Sequence, residues 1–455
     1  MTHRCHGTAD SKVEAIDSFL EEWLDREDIP GVSVSISDES TMLYESGIGF
    51  RDLDLEEPVT PDTLFGVASL TKPFTAAAVL QLVDRTDLSL DADASEYVPL
   101  LNEVPGEPIS IHELLSHSSG LPRDFVTHFD SLDDGQQLGR IEHIEGALDQ
   151  RLTDRSRYMY SNSGYFLLAE VIETITERSY TEYIEEEVFA PLDMERSVFD
   201  PEVLETDCDA MTGYLRTADG LSSKSLEPGA GAAGGLISSV TELGSLLQCI
   251  LNDGVLRGNR ILSKDLIEKM CRLQSPALPT VDGTQRGYGY GWEIDDFLDE
   301  TLVAHRGGIG ISGGYMCVSR EHGHGVALAL NTGGQPVAPI GKGVLSIICG
   351  EDPMSAVPTL KIFEAIDEIS GTYTAYRNAV MATVEKAPAS TILVNLENLN
   401  IQFTMEPEDI TGERYRFSRA TGSGVKWLAE FDVSNSPSDL ILSMGKWTYR
   451  MSNTD

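Results

Sequence analysis

Ser69 and Lys72 lie three positions apart, just before a helix that the apolar pattern predicts over residues 75–84. Residues three apart on a helix share one face, so the ammonium of Lys72 can reach the hydroxyl of Ser69. The first turn of a helix also offers unpaired N–H groups and a positive dipole, which favour an oxyanion beside Ser69. A nearby lysine or base is what turns a serine hydroxyl into a nucleophile. The spacing indicates nucleophilic serine chemistry, and the solvated start of an ordinary helix is the alternative.

Two further motifs follow in chain order. Tyr160 and Asn162 form a Y-x-N motif, and His305 begins a His-Arg-Gly-Gly stretch. S-x-x-K, then Y-x-N, then a basic residue-x-G resemble the serine β-lactamase-like superfamily, which holds class C β-lactamases, D-alanyl-D-alanine carboxypeptidases, D-aminopeptidases and related carboxylesterases. Supporting stretches that resemble the same family are residues 114–122 (L-L-S-H-S-S-G-L-P), 233–239 and 288–292. The resemblance covers residues 12 to 350, approximately.

The resemblance implies a catalytic role for three side chains. Ser69 would form an acyl-enzyme, and Lys72 would share its proton network and ease its deprotonation. Tyr160, as phenolate or hydrogen-bonded phenol, would be the base in acylation and the acid for the leaving group. Asn162 would donate to the substrate amide. The predicted catalytic residues are thus Ser69, Lys72 and Tyr160, and Asn162 is a predicted substrate-binding residue.

The His-Arg-Gly-Gly stretch supplies the remaining substrate-binding residues that the resemblance implies. His305 stands at the place of the family's basic residue and would hold Tyr160 or a substrate carboxylate. The backbone N–H groups of Ser69 and Gly308 would form the oxyanion hole, with Gly307 beside them. Arg306 stands where many relatives have a small hydroxyl residue, and its charge either recruits a carboxylate or faces solvent. The site is expected to use no cofactor and no metal.

The charge balance of the 455-residue chain limits its partners. Asp and Glu number 74 against 33 Lys and Arg, a net charge of −41. Such a field repels nucleic-acid phosphates and anionic lipids, so neither nucleic acid nor membrane is expected as a partner. The acids are spread along the whole chain, which predicts a halophilic protein whose self-repulsion is screened by salt. The expected partner is a small-molecule or short-peptide substrate, and a homo-oligomer stays open.

The cysteines and the apolar segments bear on localisation. Six cysteines lie far apart with no C-x-x-C pair, which is typical of free thiols in a reducing compartment. Residues 1–15 contain no apolar signal core, and no run of about 18 apolar residues occurs. The sequence predicts a cytoplasmic protein.

The elements that must position the motifs predict an α+β domain. Helical patterns cover residues 13–25, 75–84, 111–115 and 164–176, and strand patterns cover residues 32–36, 42–44, 314–318 and 325–331. A short strand–helix start, a long helical insert and returning strands predict an antiparallel sheet flanked by helices. This agrees with the β-lactamase-like fold that the resemblance implies.

The composition changes near residue 350 and predicts a second domain. We expect a flexible N-terminus at residues 1–11, a β-lactamase-like serine hydrolase domain at 12–350 and a linker at 351–360. Residues 361–455 contain about eight short β-rich runs and no convincing helix after residue 368. This spacing predicts a small antiparallel β-barrel, and it resembles the lipocalin-like domain appended to some family members.

The motifs together favour a serine hydrolase that works through an acyl-enzyme on a small amide or ester, of the D-aminopeptidase or carboxypeptidase type. A carboxylesterase or a β-lactamase of the same fold is the alternative within the class. A penicillin-binding-like protein that only binds peptides is the alternative from another class. The presence of Ser69, Lys72 and Tyr160 together disfavours it, because binding alone does not need all three.

Overall fold

The computed structural model describes residues 2–5, 9–121, 151–152, 158–217, 219–227, 231–278, 286–434 and 438–454. They divide into two compact units, Met1–Gly350 and Glu351–Asp455. The helices of the N-terminal unit are α1 Asp10–Arg26, α2 Lys72–Arg85, α3 Ile111–Leu115, α4 Asn162–Thr176, α5 Tyr180–Ile184, α6 Val203–Thr206, α7 Gly231–Gly234, α8 Val240–Leu251, α9 Lys264–Met270 and α10 Val337–Cys349.

The strands of the N-terminal unit form one large sheet and several short pairs. Their bounds are β1 Thr2–Cys5, β2 Gly31–Ser37, β3 Met42–Asp52, β4 Glu57–Pro58, β5 Phe65–Ala68, β6 Tyr214–Thr217, β7 Gly220–Ser223, β8 Leu236–Ser238, β9 Val255–Leu256, β10 Asn259–Arg260, β11 Ser275–Pro276, β12 Gly287–Tyr288, β13 Glu293–Phe297, β14 Glu300–Ile309, β15 Ser312–Ser319 and β16 His324–Leu330. Within the described ranges, the large sheet has the antiparallel order β1-β3-β2-β16-β15-β14-β13-β12-β11, with β4 paired to β3. Strands β5 and β8 form a separate antiparallel pair.

Helices cover both faces of the large sheet. In register, Tyr315 of β15 is opposite Leu328 of β16, which is opposite Val34 of β2, so Ser35 points to the other face. Tyr315 lies against α10, where a Cβ on Gly341 would come within 2.2 Å of its ring. The Ser35 hydroxyl donates to the carbonyl at the start of α8, 2.7 Å away. The sheet is therefore sandwiched, and the predicted α+β fold class is confirmed.

The first residues of the chain depart from the prediction of a flexible N-terminus. Thr2–Cys5 forms β1 and pairs in antiparallel register with Tyr44–Gly47 of β3. The prediction was wrong for these residues because a short polar strand at the edge of a sheet has no apolar alternation by which to recognise it.

The C-terminal unit is a closed barrel preceded by two helices. The helices are α11 Pro353–Ala356 and α12 Pro358–Ile369, and the strands are β17 Gly371–Ala375, β18 Val380–Ala387, β19 Thr391–Leu396, β20 Ile401–Asp409, β21 Arg414–Ala420, β22 Lys426–Asp432, β23 Asp439–Met444 and β24 Trp447–Asn453. Each strand pairs with the next, and β17 closes the ring on β24. Alternate inward side chains, such as Val394, Phe417 and Leu442, fill its core. The predicted antiparallel barrel is confirmed.

The predicted linker at residues 351–360 is helical instead. Asp352 caps α11 by accepting a hydrogen bond from the Ser355 N–H, and Pro353 and Pro358 begin the two helices. Proline reads as a break in the sequence, yet the first turn of a helix needs no N–H donor and suits its fixed φ.

Candidate active site

A strained residue places Ser69 at a helix start. Strand β5 ends at Ala68, which has φ 49° and ψ −129°, a costly conformation for a residue with a Cβ. The chain then turns through a 3₁₀ segment, Ser69–Thr71, into α2. The Thr71 hydroxyl donates to the Ala68 carbonyl at 2.7 Å and accepts the Leu236 N–H at 3.0 Å. These two bonds hold the turn and tie it to β8.

Lys72 is fully buried beside the serine. Its Nζ donates to Ser69 Oγ at 3.0 Å, to Asn162 Oδ1 at 2.8 Å and to the carbonyl oxygen of Ala233 at 2.5 Å. An ammonium has three N–H donors, which these three acceptors match. The arrangement places a positive charge directly beside the serine hydroxyl.

Asn162 reaches Lys72 from the first turn of α4. The Ser161 hydroxyl caps this helix by accepting the Gly164 N–H at 3.3 Å, which fixes where the helix begins. Because Asn162 Oδ1 accepts from Lys72, the carboxamide turns its N–H groups to the other side. The sequence predicted Asn162 as a hydrogen-bond donor to the substrate. In the structure it contacts Lys72, the same side chain that contacts Ser69.

Tyr160 completes the group around the serine. The Ser69 hydroxyl forms a hydrogen bond with its phenol, and Lys72 Nζ lies 4.7 Å from the centre of its ring. Burial raises the pKa of Tyr160 well above its usual value, the hydrogen bond with Ser69 lowers it in part, and the charge of Glu293 raises it further. This direction keeps the phenol protonated at neutral pH, and it favours the hydrogen-bonded phenol among the two forms that the sequence left open.

His117 lies buried among the aromatic rings of the site. Its ring centre is 4.4 Å from that of Tyr160 and 4.4 Å from that of Tyr288. Nδ1 accepts the Ser161 N–H at 3.1 Å, so the ring proton is on Nε2. Burial lowers the pKa of His117 well below its usual value, and the charge of Lys72 lowers it further. His117 lies in the stretch 114–122 that resembles the family, and the sequence analysis did not include it in the predicted site.

His305 is fully buried on β14 and has both ring nitrogens engaged within the protein. Its Nδ1–H donates to the Arg306 carbonyl at 2.8 Å, and its Nε2 accepts the Tyr288 hydroxyl at 2.8 Å. Burial lowers the pKa of His305 to about 3, and the charge of Lys72 contributes. The ring is neutral and 6.3 Å from the Tyr160 ring, between centres. The sequence led us to expect that His305 would hold Tyr160 or a substrate carboxylate. The neutral ring offers no positive charge for the second of these roles.

Arg306 is exposed over two thirds of its side chain and is paired with Glu293. Its Nε lies 3.0 Å from Glu293 Oε1. Glu293 is the first residue of β13 and is largely buried, and burial raises the pKa of its carboxyl. The guanidinium both faces solvent and has a carboxylate partner from the protein itself, so its charge is compensated before any substrate binds.

The two glycines that follow Arg306 differ in their surroundings. A Cβ on Gly307 would lie 2.1 Å from the Val67 carbonyl oxygen. The backbone of β14 therefore lies directly against the backbone of β5, the strand that leads to Ser69. A Cβ on Gly308 would meet no atom of the described residues within 4 Å. Only glycine at position 307 allows this close approach, whereas position 308 opens to free space.

Among the residues that the structure describes, no group of three or more His, Cys, Asp or Glu side chains is arranged to hold a metal ion. No helix in these same ranges combines the length and apolar character that crossing a membrane requires.

Residues 16–344 match the family model named Beta-lactamase. The chain belongs to this family. The resemblance drawn from the ordered motifs is thereby confirmed. Residues 353–450 match a second model, the Pab87 octamerisation domain, which covers most of the barrel.

Curated relatives and solved structures agree with this family. Protein flp of Staphylococcus aureus (strain NCTC 8325 / PS 47) is 25% identical over 330 residues, which are 71% of this chain and 64% of that protein. This chain thus spans less than two thirds of its length. Penicillin-binding protein 4 of Amycolatopsis lactamdurans is 28% identical over 314 residues, 67% of this chain and 81% of that protein.

Among solved structures, the octameric penicillin-binding protein homologue from Pyrococcus abyssi has a TM-score of 0.85 and 30% identity, covering 97% of this chain and 100% of its own. D-amino acid amidase from Ochrobactrum anthropi has a TM-score of 0.62 and 24% identity, covering 77% and 100%. At that identity the amidase supports the fold alone.

Proposed function

We propose that this β-lactamase-family protein is a serine hydrolase that forms an acyl-enzyme on Ser69 and cleaves small amides or short peptides, of the D-aminopeptidase or carboxypeptidase type. One observation carries the proposal: the Ser69 hydroxyl is held between Lys72 Nζ at 3.0 Å and the phenol of Tyr160. Nucleophile and proton-transfer group within hydrogen-bond reach are the geometric requirement for covalent catalysis.

The protonated state of Tyr160 favours a relay. As Ser69 Oγ bonds to the substrate carbonyl carbon, its proton passes to the phenol oxygen, and the phenol proton passes to the leaving amine or alcohol. Tyr160 ends the step unchanged, and the scissile bond breaks with the leaving group neutral. The Lys72 ammonium, donating to Ser69, stabilises the negative charge that develops on the serine oxygen. Water then reverses the relay to release the acid.

The backbone supplies the proposed oxyanion hole. Ser69 stands at the start of a helix, where N–H groups lack helical partners. Gly308 lies on β14, one residue beyond the contact between Gly307 and Val67 that brings this strand to the nucleophile. We assign the two N–H groups of Ser69 and Gly308 to the substrate oxygen, and Asn162 to the substrate amide. His305, on the same strand as Gly308, is held in place by its hydrogen bond with the Tyr288 hydroxyl.

The substrate class is supported by kinship. The relatives include penicillin-binding protein 4 of Amycolatopsis lactamdurans and the octameric penicillin-binding protein homologue from Pyrococcus abyssi. A carboxylesterase or a β-lactamase would use the same proton relay, so the geometry around Ser69 is compatible with these activities as well. A penicillin-binding-like protein without turnover would share the fold but needs no buried lysine at the serine.

A serine-reactive fluorophosphonate and a substrate panel test the proposal. We expect the probe to label the wild-type protein at Ser69 and to leave Ser69→Ala unlabelled. The panel comprises D-alanyl and L-alanyl anilides, a p-nitrophenyl ester and a chromogenic cephalosporin, and we expect turnover of the D-alanyl anilide above the L-form. Turnover of the ester or cephalosporin alone would select the alternative activity. A folded Ser69→Ala that hydrolyses every substrate at the wild-type rate would refute the proposal.

We further propose that the chain assembles into a homo-octamer. The match of residues 353–450 to the octamerisation domain and the likeness to an octameric homologue support this. Native mass spectrometry in volatile salt should give a species of about eight times the 49.7 kDa chain mass. A monomer at micromolar concentration would refute it.

A cytoplasmic location is also proposed. Cys249, Cys271 and Cys317 are buried free thiols, and burial raises the pKa of each to about 12. Inert buried thiols are typical of proteins from reducing compartments. Fractionation of the native host, with antibody detection, tests this.

A further inference from the structure

Two backbone hydrogen bonds converge on His117 from both sides of Tyr160. The N–H of Met159 donates to the His117 carbonyl oxygen at 2.8 Å. The N–H of Ser161 donates to His117 Nδ1 at 3.1 Å. One residue thus holds the segment on both sides of the tyrosine whose hydroxyl meets Ser69.

The conformation of His117 allows it to make both bonds. Helix α3 begins with a capping box between Ser110 and Glu113 and ends at Leu115, with Ser116 as its C-cap. His117 follows with φ 57°, in the left-handed region. The turn presents its carbonyl oxygen and its ring to the same neighbouring segment. Residues with a side chain adopt this region at a cost, and Asn, Asp and His bear it better than most.

The ring of His117 also packs against the tyrosine that it flanks. Its centre is 4.4 Å from the Tyr160 ring, and Tyr288 lies at the same distance. Among the residues that the structure describes, none forms a hydrogen bond with its buried Nε2. Within this part of the chain, the orientation of the ring is set by the hydrogen bond at Nδ1 and by these aromatic contacts.

We propose that His117 is a positioning residue for Tyr160: its carbonyl oxygen and Nδ1 fix the backbone on either side, and its ring packs against the phenol ring so that the hydroxyl meets Ser69. The inference rests on the proposed function, in which Tyr160 relays the Ser69 proton. His117 touches neither substrate nor reacting atoms in this scheme. Its loss should therefore act on turnover through the placement of Tyr160.

Two amide substitutions separate this role from simple packing. In His117→Asn, the side-chain oxygen can take the place of Nδ1, and Asn tolerates a positive φ. In His117→Gln, the oxygen lies one bond farther out, near the place of Nε2, and the Ser161 N–H loses its acceptor. Both variants lack the imidazole ring, so each controls for the other in ring packing.

We expect His117→Gln to lower kcat on the D-alanyl anilide by about 10²-fold, the size of effect that a misplacement of roughly 1 Å produces. KM should change by less than about threefold, because Asn162, assigned to the substrate amide, is held independently by Lys72 Nζ. His117→Asn should stay within about tenfold of the wild-type kcat. Equal kcat in the wild-type protein and both variants would overturn the proposal.

A double-mutant cycle shows whether the effect passes through Tyr160. In a Tyr160→Phe background, His117→Gln should change kcat by less than about threefold, because there is no hydroxyl left to misplace. A fold-wide defect would instead lower the activity of Tyr160→Phe by the same factor as that of the wild-type protein, and that result would overturn the proposal. If His117→Gln does not fold, the folded Asn variant decides: it supports the proposal by retaining kcat and refutes it by losing about 10²-fold.

A measurement independent of activity separates this inference from the proposed function. Amide hydrogen exchange at Ser161 should be faster in His117→Gln than in the wild-type protein and nearly unchanged in His117→Asn. If the wild-type protein neither hydrolyses the panel nor takes the probe, the proposed function fails, while this exchange pattern still reports on the position of the segment. Unchanged exchange at Ser161 in folded His117→Gln would overturn the proposed clamp.

Discussion

Replacing His305 by Gln should remove the uptake of about one proton per chain when the protein unfolds in mild acid. Burial holds the pKa of His305 at about 3 in the folded protein, whereas an exposed histidine has a pKa of about 6.5. At pH 5.5 the unfolded ring is therefore about 90% protonated and the folded ring is almost entirely neutral. Unfolding thus binds about 0.9 proton at this one residue.

The sign of the effect on stability follows from the same two values. The folded protein binds fewer protons than the unfolded chain, so acid favours unfolding. The destabilisation from His305 begins as the pH falls through about 6.5 and is complete below about 3. Between pH 7.5 and pH 5 it amounts to about 2 kcal/mol in the free energy of unfolding.

The assay mixes unbuffered protein into concentrated denaturant and measures proton uptake with an indicator dye. The wild-type protein should take up about 0.9 proton more than His305→Gln at pH 5.5, and the two should agree at pH 8. The variant also disturbs the hydrogen bond to Tyr288. The resulting loss of stability is the same at both pH values, so it does not contribute to the difference in proton uptake between them. Equal uptake by the two proteins at pH 5.5 would show that His305 is charged in the folded state and would refute our assignment of its ring.

Three further predictions concern the nucleophile, the glycine contact and the charge. On the anilide, Lys72→Ala should nearly abolish turnover, and Tyr160→Phe should lower kcat by about 10²–10⁴-fold with little change in KM. If the losses in the double variant are independent and additive, the two residues do not share one relay. Gly307→Ala should lower the unfolding free energy by about 1–3 kcal/mol, because its Cβ would meet the Val67 carbonyl, whereas Gly308→Ala should leave the thermal midpoint nearly unchanged; equal midpoints would argue against the close approach. With a net charge of −41, the thermal midpoint should rise from dilute buffer to molar salt, and a flat or falling midpoint would refute the halophile prediction.

Spacing along the chain determined those parts of the protein that depend on near neighbours. The contact between Ser69 and Lys72 follows from a spacing of three residues at a helix start. The inward-facing side chains of the barrel strands follow from the alternation of apolar and polar residues. The ordered motifs were enough to identify the family and with it the approach of Tyr160 and Asn162. Each of these inferences needs only local geometry or a pattern shared by relatives.

Tertiary structure alone decided how the site is held and charged. His117 forms a hydrogen bond with Ser161, 44 residues away in the sequence, and His305 forms one with Tyr288, 17 residues away. The sequence around each histidine does not predict these partners. Whether a histidine is charged depends on burial and on the charges that the fold brings near it, here Lys72, and not on its place in a motif. The sequence therefore predicted the groups that we propose for the chemistry, and the packing of distant segments determined their protonation and their orientation.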